Sequence, residues 1–206
     1  QPTGREREDL HKQMKEYHRT NEDVDWVQQT DNFRGLETYF HRNREAIVKQ
    51  LVEQFGQGGK YLDMGCGDGV ILRNLPKDSV GLDINAKAIA KAKKNAPKAS
   101  LVVADAEEIP LPGATFDTVV STDLLDHLPA PQKAMKEITR VLKPGGILIG
   151  TVARDNPLWR LQFLSQSLPQ TMPYRKEYRR EEVQRLLKGY EIVELQPALS
   201  YMTWVF

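Results

Sequence analysis

Asp63, Gly65, Gly67 and Gly69 stand at every second position just after the apolar Tyr61 and Leu62, in the order D-x-G-x-G-x-G. Glycine takes backbone conformations closed to other residues and lets a ligand approach with no Cβ in the way. Between a strand and a helix, such a loop holds a ligand on backbone N–H groups at the C-terminal edge of a sheet. Asp83 lies eighteen residues past Gly65, at the end of Val80-Gly81-Leu82, where a carboxylate can accept from both hydroxyls of a ribose. Asp105 closes another apolar run, Leu101-Val102-Val103-Ala104. Asp123 and His127 are four apart and would share one face if that stretch is helical, a setting in which His127 can act as a general base.

These residues need a sheet to position them. Tyr61–Asp63, Val80–Asp83, Leu101–Asp105, Phe116–Ser121 and Ile147–Ile149 read as five buried strands. The helices expected between them are Val70–Leu75, a stretch capped by Asn85 that closes at Asn95-Ala96-Pro97, and Pro131–Leu142, stopped by Lys143-Pro144-Gly145. Ahead of the first strand, Leu36, Phe40, Ile47, Leu51 and Phe55 keep a helical period up to Gly56. Residues 1–20 read as a solvated, poorly ordered amphipathic helix on Leu10, Met14 and Tyr17, with His11 and His18 as solvated side chains. After the fifth strand come a helix from Asn156-Pro157 through Leu168, a short helix over Glu181–Lys188, a strand over Tyr190–Leu195 and its antiparallel partner over Tyr201–Phe206. The fold class is α/β: a parallel sheet with one reversed strand and helices on both faces.

A dinucleotide fingerprint G-x-G-x-x-G would need a third glycine at position 70, which is Val. The D-x-G-x-G-x-G spacing instead resembles the first motif of the class I S-adenosylmethionine-dependent methyltransferases, of small-molecule type. Asp83, Asp105, the stretch Phe116–Leu128 and Val141-Leu142-Lys143-Pro144-Gly145-Gly146 follow in that family's order, so the resemblance spans residues 58–153. It implies a Rossmann-like seven-stranded sheet of order 3-2-1-4-5-7-6, the last strand antiparallel. It implies residues 1–57 as a helical extension or lid and 58–206 as the core, with an acceptor-site insertion at 154–180. The donor-binding positions it implies are Asp63, Gly65, Cys66, Gly67, Asp83, Ile84, Asp105, Ala106, Ser121 and Arg44. Of these, Asp105 would accept from the adenine amino group and the Ala106 N–H would meet a ring nitrogen. Arg44 or Arg34 would meet the methionine carboxylate. The family's acceptor site would fall where Trp159 and Phe163 suit a lid over an apolar or aromatic acceptor. Two rival readings stay open: a nicotinamide-dependent oxidoreductase, and a cofactor-binding subunit that stabilises an active partner.

Composition narrows the partners. A formal net charge of +1 gives no global field toward nucleic acid. Ser121-Thr122-Asp123 stands where amino-directed nucleic-acid enzymes carry Asn-Pro-Pro-Tyr, so a nucleic-acid substrate is not expected. The basic run Arg175–Arg180 suits an anionic acceptor or a peripheral membrane contact. The one cysteine, Cys66, fits a reducing, cytoplasmic compartment and reads as a small side chain beneath the cofactor rather than a nucleophile. The four histidines show no metal-ligand spacing, and no metal is expected. The chain opens on Gln rather than Met, as a trimmed chain would.

Overall fold

The computed structural model describes residues 4–20, 25–32, 36–156, 174–198 and 203–206. In chain order these form α1 (Gly4–Thr20), α2 (Trp26–Asn32), α3 (Leu36–Phe55), β1 (Tyr61–Met64), β2 (Val80–Asp83), α4 (Ala86–Asn95), β3 (Ser100–Val103) and β4 (Phe116–Thr122). Then follow α5 (Pro131–Val141), β5 (Leu142–Ala153), α6 (Arg180–Leu186), β6 (Gln196–Ala198) and β7 (Thr203–Val205). The sheet order is β3-β2-β1-β4-β5-β7-β6, and β7 alone runs against its neighbours.

Alternation along each strand sends side chains to opposite faces. On β4, Val119 joins the cluster with Ile138 and Val141 of α5, while Val120 packs with Val48 of α3. α5 earns its place through Pro131 in its first turn and a buried stripe of Pro131, Ala134, Met135, Ile138 and Val141. α4 begins on Asn85, whose side chain accepts from the N–H groups of Lys87 and Ala88 at 2.9 and 3.2 Å.

Four expectations are corrected. Val70–Leu75 is not an α-helix but a turn closing in one 3-10 step, Leu72–Asn74. Pro76 bars its continuation by disfavouring the α region at Leu75, which is extended. Tyr190–Leu195 forms no strand; the edge strand is the next three residues, Gln196–Ala198, and Ile192 and Val193 stay exposed. The Pro-Gly-Gly turn lies inside β5 as a bulge: Phe116 pairs Leu142 but Thr118 pairs Ile147, and Gly145 takes φ 75° to accommodate the extra residues. The first seventeen described residues are a continuous helix with Met14 only 1 % exposed, not a solvated tail. The helix expected from Asn156-Pro157 through Leu168, with Trp159 and Phe163, lies outside the described residues.

Gly150 of β5 exchanges both backbone hydrogen bonds with Phe206, and a Cβ there would stand 2.5 Å from the Phe206 ring and 3.0 Å from the Ser121 carbonyl oxygen. Gly150→Ala is therefore expected to cost about 1–3 kcal/mol by overpacking. That lowers the melting temperature by roughly 2–4 °C per kcal/mol in a chain of this size. A melt equal to wild type would show that the β5–β7 seam gives way freely.

Candidate active site

The glycine loop leaves β1 with its amides turned toward β2. The N–H groups of Gly65 and Cys66 both donate to the Leu82 carbonyl, at 2.7 and 3.0 Å, and that of Gly67 donates to Asp83 Oδ2 at 2.8 Å. Gly65, Gly67 and Gly69 have φ of 80°, 53° and 93°, conformations that a side chain would strain. Gly69 also lets Ala92 of α4 approach to 3.4 Å of where its Cβ would be. Asp83 Oδ1 accepts from the Asn85 N–H at 2.8 Å, so one carboxylate joins the loop to the cap of α4. Burial raises its pKa against the pull of those N–H groups.

Asp63 is 1 % exposed, and neither oxygen makes a hydrogen bond of normal geometry among the described residues; the Leu72 N–H points toward the carboxyl and only pulls its pKa down. Burial, and then the Asp83 charge, push its pKa up to about 7. Ser121, at the end of β4, is fully buried with its hydroxyl oxygen likewise unpartnered. Cys66 is buried and burial drives its thiol pKa far up, which removes thiolate chemistry from the site. Ala106 is buried beside the core and Ile84 half-buried between Asp83 and the α4 cap.

Beyond β4 the arrangement differs from expectation. Asp123 adopts φ 47°, so Asp123 and His127 do not share a helical face; only Leu125–His127 make a 3-10 turn. Asp123 instead pairs with Arg44 of α3 and accepts from Thr151 Oγ1 at 2.7 Å. Burial opposes its charge, but Arg44 and then Arg175 outweigh burial and hold the pKa well below the usual carboxylate range. Asp126 is fully buried, with Arg175 Nε 3.3 Å from its Oδ2 and His127 Nε2 at 3.8 Å. Arg44 also lies 3.2 Å from Nδ1 of His41, whose pKa falls to about 4 through burial and the Arg44 charge. Arg34 lies outside the described residues.

The N-terminal helices close over this edge, and here the sequence reading missed the most. His11 and His18 are not solvated. His11 Nε2 lies 2.8 Å from Glu107, which is 3 % exposed, and Lys15 reaches both Asp105 (2.6 Å) and Glu107 (2.9 Å). His18 meets His127 edge to face, with ring centroids 5.6 Å apart. His11, Met14, Lys15 and His18 step by three, one and three, a spacing that marks one helical face and was the available signal. α2 is latched to the loop by the Val27 N–H on Asp68 at 2.9 Å, and Arg73 binds Asp31 at 2.7 Å and Glu45 at 2.9 Å. The basic run 175–180 spends its charge inside the chain: Arg175 on Asp126, Lys176 on Glu182, Arg179 on Asp155, and Arg180 on the Leu195 carbonyl.

Residues 62–150 match the family described as "Methyltransferase domain". A probable S-adenosylmethionine-dependent methyltransferase of Mycolicibacterium smegmatis is 28 % identical over 133 residues, 59 % of this chain and 51 % of that protein. The ubiquinone biosynthesis O-methyltransferase of Klebsiella pneumoniae is 28 % identical over 130 residues, 58 % of this chain and 54 % of that one. The chain thus spans about half the length of these curated relatives. Among solved structures, magnesium protoporphyrin IX methyltransferase from Synechocystis, with bound S-adenosylhomocysteine, superposes with TM-score 0.70 at 17 % identity, covering 94 % of this chain and 96 % of that one. The strand order with β7 reversed between β5 and β6 departs from the dinucleotide order 3-2-1-4-5-6 and removes the nicotinamide alternative. The glycine loop, the acids beyond β2 and β3 and the matched segment agree, and residues 62–150 carry a methyltransferase domain of the S-adenosylmethionine-dependent type.

Proposed function

We propose that the chain transfers a methyl group from S-adenosylmethionine to a small-molecule or lipid-like acceptor. The observation that carries this reading is Asp63: a buried carboxyl with no partner, beside a loop held open for a ligand. Leaving such a group unsatisfied costs about 1–3 kcal/mol, which a cationic ligand would offset. S-adenosylmethionine fits, because it brings a positively charged sulfur carrying the methyl group, together with an ammonium. The K. pneumoniae relative, by its name, methylates oxygen in ubiquinone biosynthesis, which supports a lipid-like acceptor.

Each residue has a task in this reading. Gly65 and Gly67 keep side chains out of the donor's path, and Cys66 is a small buried neighbour. Asp83, with one lone pair on each oxygen spent on the chain, has others for two ribose hydroxyls. Ile84 and Ala106 border the adenine, with Asp105 and the Ala106 N–H at its polar edge. Ser121 faces the donor at the end of β4, and Arg44 serves the methionine carboxylate while anchored by Asp123. His127 is the proton acceptor. Residues 1–57 form the lid, 58–206 the core and 154–180 the acceptor-side cover. Methyl transfer needs alignment and the exclusion of water more than chemical intervention, and a lid of buried ion pairs supplies both. A cofactor-binding subunit without activity is separated by turnover: tritiated donor and a metabolite extract should yield a labelled product.

Two results test the donor site directly. Asp83→Ala removes a charged acceptor from the ribose and from Gly67, and S-adenosylhomocysteine binding by calorimetry should weaken by about 1.5–3 kcal/mol per lost bond. An unchanged dissociation constant refutes the assignment. Gly65→Val meets both a φ of 80° and Leu124, 3.1 Å from its added Cβ, and should abolish binding.

A third test concerns pH. Between about pH 4 and 7 the unfolded chain has lost the Asp63 proton, whose ordinary pKa is 3.8, while the folded chain keeps it up to about 7. This group therefore lowers stability as pH rises through that window. His18 and His41, both held down to about 4, work in the opposite sense between about 4 and 6.5, where only the unfolded chain is protonated. Asp63→Asn removes the first contribution alone. Urea denaturation of the ligand-free protein should show the variant gaining on wild type as pH climbs from 4 to 7. A gap that stays constant across the window would place the Asp63 proton elsewhere.

A further inference from the structure

The inner face of α1 runs along the crevice from one strand end to another. Lys15 and His11 meet Asp105 and Glu107 beyond β3, and His18 meets the ring of His127 beyond β4. The Leu124 side chain stands 3.1 Å from where a Cβ of Gly65 would be, so the turn that carries His127 adjoins the glycine loop, and His18 reaches that turn through the His127 ring. His18 Nε2 and His127 Nδ1 are buried, and neither has a hydrogen-bond partner among the described residues. We propose that His18 and His127 together form the acceptor end of the site, and that the acceptor presents an ionisable hydroxyl, a phenol or an enol, to their two free ring nitrogens. This rests on the donor reading above.

The surroundings select the acceptor class. Tyr17 packs its ring edgewise on His18, at 5.3 Å between centroids. Asp126 lies 3.8 Å from His127 Nε2 but is already met by Arg175, and Asp123 is met by Arg44 and Thr151. Both acids of this segment thus have their cations, and neither is left to recruit an ammonium acceptor. A carboxylate acceptor has no proton to give at neutral pH. An aliphatic alcohol holds its proton more tightly than a phenol does and is the poorer partner for an imidazole. A phenol, with a pKa of about 10, lies within reach of a neutral imidazole once the oxygen begins to bond. Burial and the neighbouring His127 keep His18 neutral down to about pH 4. The O–H bond breaks with its proton going to the imidazole. The oxygen's electron pair forms the bond to the methyl carbon, and sulfur keeps the pair of the broken C–S bond. The imidazolium then releases its proton to solvent.

Protein saturated with S-adenosylhomocysteine is titrated with 4-nitrophenol, 4-nitrobenzylamine and 4-nitrobenzoate at a pH where free 4-nitrophenol is mostly protonated. Wild type should bind the phenol about tenfold more tightly than the other two and raise the phenolate absorbance. His18→Phe, which keeps a ring but no nitrogen, and His127→Gln should each weaken the phenol by about tenfold and lose the phenolate signal. Their melts and S-adenosylhomocysteine affinities should stay at wild-type values. If either variant folds poorly, His18→Gln and His127→Asn take its place. The inference is overturned by unchanged phenol binding in both variants, by no phenol binding in wild type, or by preference for the amine or the acid. Failure of wild type to bind S-adenosylhomocysteine overturns the donor reading instead, and a separate titration reports it.

Discussion

Backbone amides that leave a strand lose their partners, and where those of the glycine loop find new ones determines the shape of the crevice. Two turn onto one carbonyl, that of Leu82, and a third onto the Asp83 carboxylate. Buried N–H groups left without acceptors would cost about 1–3 kcal/mol each, so the loop has little freedom to settle elsewhere. The geometry demands positive φ at three glycines, and Asp83 passes the constraint on through Asn85 to the first turn of α4. Loop, second strand and helix cap therefore move together or not at all.

Charge extends this frame to the N-terminal helices. Arg44 on Asp123, Arg73 on Asp31 and Glu45, and Lys15 on Asp105 and Glu107 each join a helix that precedes the sheet to a loop beyond a strand end. Exposed ion pairs contribute little, about 0–1 kcal/mol. Glu107, at 3 % exposure, is different: removing its partners leaves a buried charge uncompensated, at a cost of about 3–5 kcal/mol. The helices are thus held over the crevice by interactions that are weak to form but costly to break singly.

Elements governed by local rules were legible in the sequence. Asn85 caps α4 because its side chain reaches two N–H groups whatever the rest of the fold does, and Pro131 with the stripe through Val141 makes α5. The site's acids could be placed because each ends an apolar strand. Reading failed where tertiary contacts overrode pattern. Val70 and Ile71 are apolar because they fill the space under α3, not because they belong to a helix. Tyr190–Leu195 alternates as a strand would, yet Val193 is 69 % exposed and only the three residues after it pair. Asp123 and His127 have helical spacing, but the left-handed backbone at Asp123 turns its carboxylate to Arg44 instead. No local signal marks a residue whose conformation is set by a cation 79 positions away. The inner face of α1 hid for a related reason, since Lys and His at helical spacing look solvated until the acids that meet them are known.

What remains unsatisfied is as informative as what is paired. Asp63, Ser121, His18 and His127 come from four separate elements or turns, and each buries a polar atom with no partner among the described residues. Native interiors rarely tolerate such atoms, and each calls for an explanation such as a catalytic role, a bound water or an ion. Asp63 asks for a cation or a donor, whereas a neutral imidazole offers one donor and one acceptor. A ligand matching all four would be positive at the glycine loop and would carry an exchangeable proton toward α1. One small molecule seldom has both properties, but a sulfonium donor and a hydroxyl acceptor placed end to end do. The free protein thus leaves buried polar groups without partners at the glycine loop, at the end of β4 and on the inner face of α1, at a cost in stability.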